Sequence, residues 1–415
     1  MVTRGHERGG PRGTGLEGLS GAAGAVAGDA GDATSGAAVG SRPRLSGRAR
    51  LLRRAPLLAA ALVALLAGLW AGLLRLGLDL APLRPELASL HGPLLVLGFL
   101  GTQIGLERAV AVHRRPPWPY LAPIGAAAGS TWLLVGLPAT VGQVLFALGG
   151  IALCAVFLAV HRLDPTAHNA VMGLGAAAWA AGAIVWLLDD AVVRAVPFLV
   201  AFLVLTIVGE RLELSRMRRP TPRARAALLA AIALFACGVV VTLPDRELGV
   251  RLAGAGMLAQ AAWLARHDVA RRTIHMGGVT RYMAVALLAG YLWLAVAGVL
   301  WLHYGALLGA GPAYDAMLHT VFLGFVFSMV FAHAPVIVPA VFGVTLPYRR
   351  ALYAPLALLH VGLVLRIVGD LAGDLTAWQW GGVLDEAAIL AFLATAVATS
   401  AAARRRPTRG RSRSR

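Results

Sequence analysis

The chain has 415 residues, 58% hydrophobic and 14% charged, with a formal net charge of +18 and a mean hydropathy of +0.72. Soluble proteins carry about 25% charged residues, so a water-soluble enzyme or binding module is excluded as the main body. The basic excess is all arginine and sits at the two ends and in alternate loops, which topology explains better than nucleic-acid binding does. Cys154 and Cys237, the only cysteines, each lie in an apolar stretch, which excludes a disulfide framework and any cysteine-based metal motif.

Residues 1 to about 50 are rich in Gly, Ala, Ser and Arg without apolar periodicity, and the composition predicts a disordered basic segment. No apolar h-region begins before residue 55, so the first span is expected to act as the insertion signal in place of a secretory leader. Twelve spans follow: 55–78, 88–107, 119–137, 141–161, 168–188, 192–209, 225–243, 247–266, 280–302, 316–342, 350–370 and 382–403. Such windows suit helices crossing ~30 Å of hydrocarbon, and they are too long and too rich in Leu and Ala for barrel strands. The fold class is therefore an all-α integral membrane bundle of about twelve transmembrane helices over residues 51–404.

Arginines collect before the first span and then in ERAVAVHRR, HRLD, ERLELSRMRRPTPRAR, ARHDVARR, LPYRR and the tail RRRPTRGRSRSR. The intervening loops (LRPE, GLPATVGQ, LLDDAVVR, LPDRELGVR, HYGALLGAGPAYD, GDLAGDLTAWQW) hold few. This alternation predicts an even number of crossings with both termini cytoplasmic, and Trp and Tyr at the span ends mark two interfacial belts. The tail 405–415 is expected to be disordered, close to anionic membrane lipid, with no nucleic acid as partner. A composition rich in Ala, Arg and Gly suggests a GC-rich bacterial genome, hence a multi-pass protein of the bacterial cytoplasmic membrane.

Ionisable residues at membrane depth are candidate functional sites. Of eleven histidines, His6 falls in the head, and His113, His161 and His267 lie among loop arginines. His303 lies at the outer end of span 9, and His168 and His275 flank cytoplasmic helix ends, where surface roles are expected. His91, His319, His333 and His360 remain inside spans, where the plain alternative is a helix–helix hydrogen bond. His91 lies five residues below Glu86 and His319 four below Asp315, which places them ~7.5 Å and ~6 Å beneath the outer face. Two imidazoles at matched depth on different helices can take opposite faces of a haem, with nitrogens about 4 Å apart. On an unbroken helix His333 lies ~21 Å deeper than His319 and only ~40° around from it, so it cannot reach the same iron. Pro335 and Pro339 are expected to interrupt span 10 just beyond His333.

Glycines 92, 98, 101 and 105 either clear space for a flat ligand or let another helix approach, and Phe322, Phe325 and Phe331 either line a macrocycle or are core. Arg366 is expected to pair with Asp370 four residues on, or alternatively to meet haem propionates. Glu107–Arg108 and Glu210–Arg211 read as ion pairs closing the inner face, with proton entry as the other reading.

DAMLHTVFLGF in span 10, with YLWLAVAGVLW before it and HVGLVLRIVGDL after it, resembles the corresponding region of the NnrS family. LHGPLLVLGF in span 2 resembles both that family and the low-spin haem helix of haem–copper oxidase subunit I. The resemblance covers about a third of the chain. It implies a twelve-helix protein containing haem, of b type, and copper, linked to nitric oxide, with haem ligands from the second and tenth helices. His91 and His319 are then the axial ligands. Spans 6 and 7 contain no histidine, unlike oxygen- and nitric-oxide-reducing members, so a binuclear reduction site is not expected. For copper, or a diatomic ligand such as nitric oxide, His333 and His360 are the remaining imidazoles, with Met329 as a soft donor. The electron donor, and whether a substrate is turned over, stay open. Two other classes compete. One is a secondary transporter, for which broken helices and repeats would count, and HGPLLVLGF and HTVFLGF echo each other faintly. The other is a structural membrane subunit.

Overall fold

A computed structural model describes residues 47–405, apart from 83, 113–116, 343 and 345. The expectations for the N-terminal head and the tail beyond 405, and for His6 and His113, fall outside the described residues. Everything regular among the described residues is helical. Among the described residues, eleven helices are long and apolar enough to cross a membrane. In chain order the bundle begins with α1 (Gly47–Arg75), α2 (Leu87–Ala111), α3 (Leu121–Val135), α4 (Ala139–Leu163), α5 (Ala167–Asp189) and α6 (Val192–Ser215). It continues with α7 (Pro222–Val241), α8 (Arg246–His267), α9 (Gly278–Tyr304), α10 (Pro312–Pro339), α11 (Tyr353–Ala372) and α12 (Leu375–Arg405).

The twelfth member is α3, which is shorter than the span expected at 119–137. A 3₁₀ turn at Trp118–Tyr120, with Pro119 inside it, precedes the helix, and Gly136 ends it at φ +87°. Glycine enters that left-handed region at no steric cost. Turn and helix together measure about 28 Å, close to the hydrocarbon thickness. Arg84, from the loop before α2, donates to the Leu133 carbonyl, which also accepts the Gly136 amide at this helix end.

Neighbours in sequence pack side by side around α6, the most buried of the spans. α6 is apolar around its whole circumference, as a helix at the centre of a bundle must be. Small residues bring backbones together elsewhere. A Cβ on Gly150 of α4 would stand 2.8 Å from the Ala180 backbone of α5, and one on Gly254 of α8 would stand 2.8 Å from the Gly298 carbonyl of α9.

Two helices are irregular, and both irregularities follow a histidine. In α2 the stretch Leu94–Leu100 is π-helical, with the Gly101 amide bonded to the Val96 carbonyl. In α10 the π stretch is Thr320–Phe327. Hydroxyls flank this second stretch: Thr320 donates to the Ala316 carbonyl at 2.8 Å and Ser328 to the Gly324 carbonyl at 2.6 Å. They satisfy acceptors at a shift of backbone register, where such side chains stabilise departures from α geometry. The prolines do not interrupt α10. Helix runs through Pro335 and Pro339, so the expected break lies a dozen residues earlier, at the π stretch. That stretch also removes the basis for placing His333 on the His319 face, because a π turn holds more than 3.6 residues.

At the arginine-rich face the expected ion pairs form between helices. Arg108 donates to Glu210, across from α2 to α6, with Glu107 at 3.5 Å. Arg211 faces Asp268, just beyond α8, at 3.6 Å, both fully buried. His168 departs from its expected surface role. It is buried at the start of α5, with Nε2 3.1 Å from the Thr166 hydroxyl.

Candidate functional site

At the arginine-poor end, α1, α2, α6, α10 and α12 surround an open cavity, with about 1190 Å³ of space outside any atom when the open solvent at its entrance is included. His91 from α2 and His319 from α10 both line it. Their ring centres are 6.3 Å apart and their planes inclined at 38°.

Each ring is held by its Nδ1. In His91 this nitrogen lies 2.8 Å from the Gly68 carbonyl of α1. Helix α1 can come this close because Gly68 and Gly72 form a GxxxG face. A Cβ on Gly72 would meet the Glu386 carboxylate and stand 2.9 Å from His91 Cε1. In His319 the Nδ1 lies 2.9 Å from the Asp315 carbonyl and 3.2 Å from Asp315 Oδ1. A carbonyl accepts only, so each Nδ1 carries the proton and each Nε2 keeps its lone pair. Metal-binding histidines are commonly oriented by such a bond from the other ring nitrogen.

Asp315 is itself fixed from two helices. Arg366 of α11 grips it bidentately, Nε to Oδ2 at 2.6 Å and Nη2 to Oδ1 at 2.8 Å. Trp378 of α12 donates its indole N–H to Oδ2 at 3.1 Å, and its ring lies 5.8 Å from the Arg366 guanidinium. Arg366 therefore does not take Asp370 as its partner, and it does not line the cavity. It acts on the site through Asp315 and His319.

The other two candidate imidazoles make separate contacts. His333 donates Nδ1–H to the Met329 carbonyl at 2.7 Å. His360 receives the indole N–H of Trp293 on Nδ1 at 3.1 Å, so its proton sits on Nε2, which is buried and unpartnered. Neither lines the cavity, and no cluster of three or more metal-binding side chains occurs among the described residues. Met329 packs its methyl against Gly290. Of the aromatic candidates Phe322 lines the cavity, while Phe331 stacks on Phe392 at 3.9 Å in the core. Gly92 is the glycine with open space before it, and Gly98, Gly101 and Gly105 serve close packing.

Several cavity residues escape sequence reasoning. Asp385 and Glu386 of α12 line it, and both oxygens of Asp385 are buried without a partner. Arg75, at the end of α1, lines the mouth with Tyr314. An arginine inside the first span, near its arginine-poor end, was the available signal for Arg75, and the GxxxG pattern was the signal for Gly68 and Gly72. In the loop entering α2, backbone hydrogen bonding and then Arg84 hold the Glu86 carboxyl below its usual range.

No curated protein and no solved structure gives a significant match to the chain. A family described as a domain of unknown function, DUF8744, matches residues 54–401, which runs from within α1 to within α12. The chain, a multi-pass helical membrane protein, belongs to the DUF8744 family.

Proposed function

We propose that this protein binds haem between His91 and His319, as an NnrS-like protein of the bacterial cytoplasmic membrane with both termini inside. The supporting observation is the histidine pair itself: two rings on separate helices, each tied back through Nδ1, facing one cavity with centres 6.3 Å apart. Two metal–imidazole bonds of about 2.0 Å, each continued about 1.1 Å to its ring centre, separate the centres by roughly 6 Å. The donor set fits iron held by two neutral imidazoles, and the apolar wall of Leu95, Val96, Leu199 and Phe322 fits a flat apolar guest. Haem held in this way supplies one-electron chemistry. The protein's part is to fix both rings and shield the site from lipid.

A role in nitric oxide response or tolerance follows from the resemblance of spans 2 and 9–11. Copper at His360 would require displacing the Trp293 N–H from Nδ1 or the proton from Nε2, so geometry favours haem as the first cofactor. The deciding experiment is the absorption spectrum of protein purified after haem-replete expression. A Soret band is expected, and it should be lost in His91→Ala and His319→Ala. No band, or a band unchanged in both variants, overturns the reading.

One observation favours a second reading, a secondary transporter: buried carboxylates Asp385 and Glu386 line the cavity, and α2 and α10 both leave α geometry beside it. Substrate-dependent uptake into vesicles by a colourless protein would select that reading.

A further inference from the structure

The arginine-poor half of the protein contains six arginines at helix ends and loops, and five are committed. Arg84 bonds Glu86 and the Leu133 carbonyl, Arg194 pairs with Asp189 at 2.8 Å, and Arg246 donates to the Leu307 carbonyl at 3.3 Å. Arg251 takes Glu247 at 2.8 Å and the Leu302 carbonyl at 3.0 Å, and Arg366 takes Asp315. Arg75 alone among them, within the described residues, has neither a hydrogen bond nor an ion pair. It is also the one on the cavity mouth, beside Tyr314 and on the His91 side.

An unpaired guanidinium on the side of a membrane protein that otherwise carries few cations is a vacancy for an anion. Its planar fork suits a carboxylate, and Tyr314 adds a hydroxyl donor next to it. Asp385 and Glu386 do not fill this role, since neither lies within ion-pair distance of Arg75, although both border the same cavity. The guest's acidic groups are thereby drawn to Arg75, the one lining guanidinium among the described residues, and repelled by the two carboxylates on α12. We infer that Arg75, with Tyr314, is the subsite that receives the carboxylates of the bound porphyrin. The inference rests on the haem reading and fixes the direction in which the macrocycle enters, acid edge outward. It also replaces Arg366, for which meeting the propionates was the alternative reading and whose fork is occupied by Asp315.

The test compares haem with its dimethyl ester, which keeps the iron and the ring but removes both negative charges. Each is loaded into wild type, Arg75→Gln and Arg75→Lys, and dissociation is followed by transfer to excess apomyoglobin. Haem should leave Arg75→Gln about tenfold faster than wild type, with Arg75→Lys between them, whereas the ester should leave all three at one rate. Equal acceleration for the ester would show that Arg75 acts on the fold alone. No acceleration for haem would assign the guanidinium to a lipid phosphate or to solvent, and either result overturns the inference. Failure of wild type to take up either compound would overturn the haem reading itself.

Discussion

Replacing Asp315 by Asn tests how the site is held. The carboxylate accepts two hydrogen bonds from Arg366, at 2.6 and 2.8 Å, and one from Trp378 at 3.1 Å, and it lies 3.2 Å from His319 Nδ1. Side-chain exposures of 10% for Arg366 and 19% for Asp315 leave little solvent to screen the pair. Removing one partner of a buried pair costs about 3–5 kcal/mol, because the other charge remains. Asn keeps one acceptor oxygen but presents an N–H₂ to the second guanidinium N–H, so its loss should be about 3 kcal/mol and that of Asp315→Ala nearer 5. The melting temperature in detergent should then fall by on the order of 5 °C or more. Because the carboxylate also orients His319, haem should dissociate about tenfold faster from the Asn variant, the lower end of what such orienting groups contribute. The backbone carbonyl of Asp315 still holds the ring, which is why complete loss is not expected. Thermal melts and haem transfer measured on the same preparations separate the two effects. If the melting temperature and the haem off-rate both match wild type, the chain Arg366–Asp315–His319 carries nothing.

Three further outcomes follow from single contacts. Gly72→Ala puts a methyl 2.9 Å from His91 Cε1 and against Glu386, so it should lower haem occupancy severalfold, and a Soret band at the wild-type intensity would remove Gly72 from the site. Asp268→Ala leaves Arg211 buried without its counter-charge at the opposite end of the bundle, and thermal melts should show a loss of about 3–5 kcal/mol with the haem spectrum unchanged. Trp293→Phe strips the donor from His360 Nδ1, which should cost about 1–3 kcal/mol, and a melt within error of wild type would show that this bond adds no net stability.

Much of the architecture was legible because membrane insertion writes it into composition. Span length, loop arginines and interfacial aromatics are each set by the bilayer, and each can be read without knowing which helices touch. That His91 and His319 stand at matching heights on their helices was legible for a similar reason, since Glu86 and Asp315 lie one turn before them, and the two rings do come within 6.3 Å. What failed was arithmetic confined to one helix. Spacing of four made Asp370 the natural partner of Arg366, yet the carboxylate that Arg366 grips arrives from α10. Likewise Glu210–Arg211 looked like a local pair, whereas Glu210 is taken by Arg108, which also keeps its neighbour Glu107 at 3.5 Å, and Arg211 reaches Asp268. In low dielectric a charge pairs with whatever a neighbouring helix presents, and a single sequence does not say which helices are neighbours.

The two π stretches show why the faint echo between HGPLLVLGF and HTVFLGF carries physical content. Both contain Leu-Gly-Phe (Leu97–Phe99 and Leu323–Phe325), and both glycines sit inside the π turns. A Cβ on Gly98 would stand 2.9 Å from Ser130 and 3.0 Å from Ala64, and one on Gly324 would stand 2.5 Å from Trp293. Each widened turn therefore lies against a neighbouring helix at a point where a side chain would not fit. A widened turn inserts extra rotation, so the helix beyond it need not continue the face on which the histidine stands. This frees each histidine to point at the cavity while the rest of its helix packs by its own pattern: α2 through Gly101 against Trp179, α10 through Phe331 against Phe392. A regular helix would tie those two requirements together. Hydrophobic periodicity averages over such a turn and loses it, whereas a histidine followed within a few residues by a closely packed Leu-Gly-Phe keeps the signal in both helices.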